Sequence, residues 1–249
     1  MEISIPKTST ALSALLRADF TTQWSNRRAV ILTLVVPVII LISWKVWVAQ
    51  FGGPFVLSNS ITIGLIATGL MGYSNSIARD RDKGIFQRLR VAPIPAWSIM
   101  GSRLIVQLVM IILVTTAVFI GGDYYDKITL TPSEYAVSYL TAIIGGAVYL
   151  SLGQLIVGLI LNPETVNSTT RLVYFVFIMV GMFGELNVLG KSIHDIEHWS
   201  PYGTVKTIIA GGMELGKWNN DTSMALLTTI LYIVVFSVPG INKFKWTSK

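Results

Sequence analysis

Residues 78–97 read ARDRDKGIFQRLRVAPIPAW, and their reading decides the fold. They hold Arg79, Arg81, Lys83, Arg88 and Arg90, the densest basic cluster in the chain. Apolar runs flank the stretch on both sides. A membrane-crossing helix needs about 20 such residues, and both runs meet that length. The stretch is therefore a polar connection between two membrane spans, on the side where positive charge stays. Asp80-Arg81-Asp82-Lys83-Gly84 reads as a charged turn. Ile85, Phe86 and Leu89 then recur at helical spacing, and Pro93 and Pro95 stop that piece. A loop that only joined two spans would not need an apolar face. This one is expected to dock against something.

Working outward, composition agrees. Of 249 residues, 52% are hydrophobic and 13% charged, with a mean hydropathy of +0.63. A soluble domain carries about 25% charged residues. The expected fold class is an all-α polytopic membrane protein with one membrane domain. The formal net charge is +6, but the basic residues lie beside apolar runs. That placement reads as topology, and no nucleic-acid partner is expected. There is no cysteine, so disulfide and thiol chemistry are excluded.

Residues 1–28 are mostly polar, and no cleavable signal is expected there. Pro6 and Thr8-Ser9-Thr10 offer a helix start. Leu12, Leu15, Leu16, Phe20 and Trp24 share a face opposite Arg17 and Gln23. This predicts an amphipathic helix in the interface, leading into the membrane through Arg27 and Arg28.

Six spans are expected, near 29–48, 55–78, 99–120, 135–161, 172–189 and 222–239. The first contains Pro37 and ends at Trp44, Lys45 and Trp47, an interfacial signature. The second carries Asn59, Thr62, Thr68, Ser74 and Asn75 beside the small Ser60, Gly64, Gly69 and Gly72. Such a helix either packs closely on its neighbours or touches a substrate. The fourth span is rich in glycine and the fifth in aromatics, Tyr174, Phe175, Phe177 and Phe183. The connection 121–134 reads as turn-rich and acidic, and Asn162-Pro163-Glu164-Thr165 as a short polar turn. The longest connection, 185–221, contains Thr204 to Gly212, an apolar stretch too short to span. It predicts a re-entrant or interfacial helix pair.

Lys and Arg fix the orientation. Lys7, Arg17, Arg27, Arg28, the 78–97 cluster, Arg103, Arg171, Lys243, Lys245 and Lys249 fall on one side. Lys127, Lys191, Lys206 and Lys217 fall on the other, among eight carboxylates. Both termini are thus expected in the cytoplasm, with the chain multi-pass in the cell membrane.

Two motifs invite chemistry. His194-Asp195-Ile196-Glu197-His198 matches H-x-x-E-H, in which two histidines one helical turn apart bind zinc and the glutamate acts as base. A zinc hydrolase is therefore an alternative reading, although only Glu214 offers a third ligand; a non-transporting scaffold or immunity protein is another. GGMELGKW at 211–218 approaches the phosphate-binding loop. It ends in Trp218 where a hydroxyl must meet magnesium, and no strand precedes it. No ionisable residue lies deep in an expected span; Lys45, Arg103 and Glu185 sit near ends. Proton-driven transporters keep such a group at depth, so uphill movement would draw its energy from a partner.

The second span ending at Ser74-Asn75-Ser76-Ile77-Ala78, followed by the acidic-basic stretch Arg79 to Lys83, Gly84, Phe86 to Arg90 and the exit at Pro93 and Pro95, resembles the permease subunit of a type-2 ATP-binding-cassette exporter. The family often has glutamates where Asp80 and Asp82 stand. The likeness extends to the N-terminal helix, the six spans and Ser200-Pro201-Tyr202 in the outer segment. It implies a domain plan of an interfacial helix (1–28), a six-span domain (29–241) and a cytoplasmic tail (242–249). It implies that the chain binds no cofactor itself and is not an enzyme, with ATP and Mg held by a partner ATPase. A second permease copy or a homologous permease, together with membrane lipids, completes the implied partners. Asp80, Arg81, Lys83, Gly84, Ile85, Phe86, Arg88 and Leu89 would form a coupling helix against the ATPase, with Asn162, Pro163 and Glu164 as a smaller contact. Asn59, Thr62, Phe175, Phe177 and Met179 would line a path for a hydrophobic or amphipathic cargo, a drug-like molecule, lipid or peptide. Phe175 and Phe177 read equally as lipid-facing or packing residues.

Overall fold

The structure is a computed structural model that describes residues 8–91, 95–185 and 190–246. Pro6, Lys7, Pro93 and Lys249 lie outside the described residues, as do the side chains of Arg28 and Glu185. Every regular element among the described residues is helical. In order they are α1 (Thr8–Ser25), α2 (Arg27–Ser43), α3 (Lys45–Phe51), α4 (Gly53–Ile66), a π-helical segment (Ala67–Ser74), α5 (Asn75–Asp82), α6 (Ile85–Arg90) and α7 (Ala96–Asp126). Then come α8 (Pro132–Leu159), α9 (Pro163–Glu185), α10 (Lys191–Trp199), α11 (Pro201–Met213), a 3₁₀ turn (Leu215–Lys217) and α12 (Asn220–Asn242).

Among the described residues, five helices are long and apolar enough to cross a membrane: Gly53–Asp82, Trp97–Asp126, Pro132–Leu159, Pro163–Gly184 and Asn220–Asn242. A sixth span arises where α1 and α2 are taken together across their 62° bend. This is the expected all-α membrane fold. The second span, α4 through α5, is its centre. Every residue from Val56 to Ile66 is buried, packed against α2, α7, α8 and α11.

The small residues allow that centre to close. A Cβ on Gly69 would lie 2.6 Å from the Tyr149 carbonyl carbon of α8, and one on Gly153 would lie 2.6 Å from the Gly69 oxygen. Backbone thus meets backbone where the second and fourth spans cross. The helix widens to π turns over this stretch, a feature common at functional sites. Thr68 Oγ1, Ser74 Oγ and Asn75 Nδ2 donate to the carbonyls of Gly64, Gly69 and Met71 at 2.9, 3.3 and 2.9 Å.

Element boundaries depart from expectation in four places. The first span stops at Ser43, breaks at Trp44 and resumes as α3. The acidic connection near 121–134 is mostly helix, because α7 runs to Asp126 and only Lys127 turns left-handed at φ +56°. Asn162 to Thr165 is a cap: Asn162 Oδ1 accepts from the Glu164 and Thr165 amides at 2.8 and 3.1 Å, and α9 starts at Pro163. Asp80 and Asp82 lie on α5, so the expected charged turn shrinks to Lys83 and Gly84, with Gly84 at φ +66°. Acidic side chains ended the apolar runs without ending the helices.

The fourth span opens on a capping box at Thr131 and Glu134, with Pro132 at the first helical position. Thr131→Ala removes one acceptor from the exposed helix end. It is expected to lower stability by about 1 kcal/mol, read as a small fall in melting temperature in detergent with transport intact.

The expected outer helix pair is α10 and α11. Ser200 caps α11 by accepting from the Gly203 amide at 3.2 Å. α11 then buries Tyr202, Val205, Ile208 and Ile209 against α4, α8 and α12.

Candidate functional site

The end of the bundle that carries the α5–α6 hairpin holds a connected cluster of charged side chains. Arg81 is 0% exposed. Its Nη1 donates to the Val157 carbonyl at 2.6 Å, and its Nη2 to the carbonyls of Ile160 and Leu161 at 2.6 and 3.0 Å. The last carbonyls of a helix have no intrahelical donors. Arg81 supplies them for α8, where α8 hands over to α9. The planar fork suits several oxygens at once.

Asp80, one residue earlier, pairs with Arg103 Nη1 at the start of α7. Arg103 Nε also meets Asp19 Oδ1 of α1 at 3.1 Å. Ser102 Oγ donates to Asp19 Oδ2 at 2.5 Å, and Arg103 Nη1 donates to Ser76 Oγ at 3.2 Å. One guanidinium thus ties three helices, α1, α5 and α7.

Phe86 closes the cluster. It is 0% exposed, in edge contact with Phe244 and Trp246 at centroid distances of 6.0 and 5.9 Å. The Arg103 guanidinium carbon lies 5.7 Å from its ring centroid and that of Arg81 lies 5.9 Å from Phe244.

Three residues of the expected docking face make these contacts within the chain. Asp80, Arg81 and Phe86 are spent inside the chain, while Ile85 and Leu89 are half-buried. What the hairpin presents outward is Arg79, Asp82, Lys83, Gln87, Arg88, Arg90 and Val91. Gly84 makes the turn, and Asn162, Pro163 and Glu164 sit at the same end through the Arg81 bonds to the α8–α9 junction. Asp19, Phe244 and Trp246 were not singled out by the sequence. The one available signal was that Asp19 is the sole acidic residue in α1.

The expected path residues lie on two helices, α4 and α9. Asn59 is fully buried, its Oδ1 accepting from Tyr202 at 2.6 Å and its Nδ2 donating to the Phe55 carbonyl at 2.9 Å. Thr62 is equally buried, and its Oγ1 has no hydrogen-bond partner. Phe177 packs on Tyr149 at 6.1 Å, Met179 is half-buried and Phe175 is 58% exposed. A groove of 650 Å³ instead runs between α2 and α9, floored by the second span. Leu32, Met71, Asn75, Arg79, Asn167 and Arg171 are among its lining.

The histidine motif does not converge. His194 Nδ1 faces the Gly184 carbonyl at 3.0 Å, His198 Nε2 faces Asp221 at 3.0 Å, and Glu197 is buried beside Lys206 at 3.3 Å. Among the described residues, no three metal-binding side chains cluster. The GGMELGKW segment is the end of α11 and a 3₁₀ turn, with no strand before it.

Comparison with known proteins agrees with this architecture. The chain is 24% identical over 196 residues to the putative transport permease YvfS of Bacillus subtilis (strain 168), covering 77% of this chain and 75% of the relative. Residues 10–205, which include most of α1, the hairpin and Arg103, match the family model described as ABC-2 type transporter. The chain belongs to the ABC-2 type transporter family, as a membrane-spanning permease.

Proposed function

We propose that this permease exports a hydrophobic or amphipathic cargo, a drug-like molecule, lipid or peptide, driven by ATP hydrolysis on a separate cytoplasmic ATPase that holds ATP and Mg. The α5–α6 hairpin docks on that ATPase through Lys83, Gln87, Arg88 and Arg90, with Glu164 as a smaller contact. The hairpin end faces the cytoplasm, in keeping with its exposed Arg27, Lys83, Arg88, Arg90, Lys243 and Lys245 and the bias of Lys and Arg toward that side. The supporting observation is the buried fork of Arg81 on the α8–α9 junction. A displacement of the hairpin is carried by it to the end of the fourth span and to the short linker that leads into the fifth. Arg103 carries the same displacement to α1 and α7.

The path lies along the second span, facing α9 and a second permease copy, identical or homologous. The apolar, outward Leu172, Phe175 and Val176 support such a partner beside the groove between α2 and α9. The buried, unpartnered hydroxyls of Ser60 and Thr62 are uncommon. They fit polar contacts made when the second span parts from its neighbours.

Reversing exposed charge on the hairpin tests the coupling. Lys83→Glu with Arg88→Glu is expected to leave the melting temperature in place and weaken ATPase co-purification about tenfold or more, as rim charges act on association. ATPase capture at the wild-type level would remove the hairpin from the interface.

A further inference from the structure

A second groove lies on the other side of the second span. Its volume is 370 Å³, within the roughly 300–1,000 Å³ range of small-molecule sites. α8 forms its floor with Ala147, Leu150, Ser151 and Gln154, and Tyr73 lies beneath. α7 contributes Met100 and Leu104 to one wall, and α12 contributes Ser237 and Ile241 to the other. Phe244 and Trp246 close the hairpin end. The largest polar groups of the floor are paired with one another: Tyr73 donates to Gln154 Oε1 at 2.8 Å, and Gln154 Nε2 donates to the Gly240 carbonyl at 3.3 Å. What remains for an occupant is chiefly hydrocarbon, at the depth of membrane spans, where an apolar groove holds water poorly.

The mouth differs from the floor. Phe244 is flanked in sequence by Lys243 and Lys245, both exposed. Phe244 and Trp246 are themselves fixed against Phe86 of the hairpin. An apolar slot closed by Phe244, whose two chain neighbours are exposed lysines, matches a molecule with a hydrocarbon chain and an anionic head.

We propose that this groove holds an acyl chain of an anionic phospholipid from the adjacent leaflet, with its phosphate against Lys243 and Lys245. The lipid would then contact the same aromatic pair that seats the coupling hairpin. It is distinct from the path proposed between α2 and α9, since the second span separates the two grooves.

The test is native mass spectrometry of the whole protein in mild detergent, with phosphatidylglycerol, phosphatidylcholine or glycerol phosphate added. The intact protein is expected to retain one phosphatidylglycerol per chain in preference to phosphatidylcholine, and to retain no glycerol phosphate. Ala147→Phe fills the floor, and Ser237→Trp fills the slot from the opposite wall. Each is expected to cut retention about tenfold, a loss of about 1.4 kcal/mol. If one of them fails to fold, the other reads the same groove. Lys243→Glu with Lys245→Glu, both on the surface, is expected to erase the preference for the anionic head, at about fivefold per lysine. Full retention in both wall variants, equal retention of the two phospholipids, binding of glycerol phosphate alone, or recovery of a non-lipid compound in the groove would each overturn the proposal.

Discussion

Arg81→Ala is expected to leave little folded permease. The substitution removes three charge-assisted hydrogen bonds, at 2.6, 2.6 and 3.0 Å. A hydrogen bond to a charged group contributes about 1.5–3 kcal/mol, and here the carbonyl partners lose their donor where water has little access. The carbonyls of Val157, Ile160 and Leu161 are left at the end of α8 with no substitute. The loss exceeds 3 kcal/mol, a large share of a marginal total of about 5–15 kcal/mol. Size-exclusion chromatography of the detergent-extracted protein should show loss of the monodisperse peak. Arg81→Lys keeps the charge but supplies a single ammonium on a flexible stem in place of the planar fork. It is expected to fold with a lowered melting temperature and with ATP-driven transport reduced about tenfold, while an ATPase still co-purifies. Retained transport in that variant would show that Arg81 secures the fold without transmitting anything.

How much of this was legible in the sequence depends on which force decided each feature. Five spans were legible because hydrophobic length decides them, whereas the first, expected near 29–48, reaches spanning length only together with α1 across the bend. The basic stretch at 78–97 was legible because charge decides it. The outer pair α10 and α11 followed from an apolar run too short to cross. Helix ends were misplaced because a membrane helix does not stop where hydrocarbon does: Asp80 and Asp82 ride on the last turn of α5, and Asp123 and Asp126 on that of α7. The direction of each hairpin side chain was not legible. Ile85, Phe86 and Leu89 share a face by period alone, and period cannot say whether that face meets a partner or the chain's own tail. Phe244 and Trp246 lie far along the sequence from Phe86 and next to lysines, which marked the segment as a solvated tail. Asp19 was hidden for the same reason, since its partners Ser102 and Arg103 belong to another span. Asn59 read as a polar group in an apolar helix, and only the fold reveals that Tyr202 takes up its oxygen.

Phe86→Asp separates these readings most sharply. A docking residue on an apolar outer face would tolerate a carboxylate with the fold intact and lose only its partner. The ring is instead fully buried between Phe244, Trp246 and the Arg103 guanidinium. Aspartate there gives up the aromatic contacts, each worth about 0.5–1.5 kcal/mol beyond area burial. It also leaves a cavity, for which Phe→Ala changes in cores cost about 3–5 kcal/mol. The neighbouring guanidiniums do not rescue it. Arg103 is already committed to Asp19 and Asp80 and Arg81 to the α8 carbonyls, so a third carboxylate competes with existing pairs. The expected result is a protein that is inserted but unstable, with a melting temperature too low to measure and an exposed tail cleaved readily by protease. Phe86→Leu keeps an apolar side chain and loses mainly the edge contacts, so a loss of about 1–2 kcal/mol is expected, with ATPase capture unchanged. The pair of variants is decisive because the two roles predict opposite orders of damage. If Phe86→Asp stays as stable as the wild type while ATPase capture disappears, the ring belongs to the partner's groove. If stability falls first and capture follows it, the ring is the pin that fixes the hairpin to the tail, and the docking surface belongs to Lys83, Arg88 and Arg90 around it.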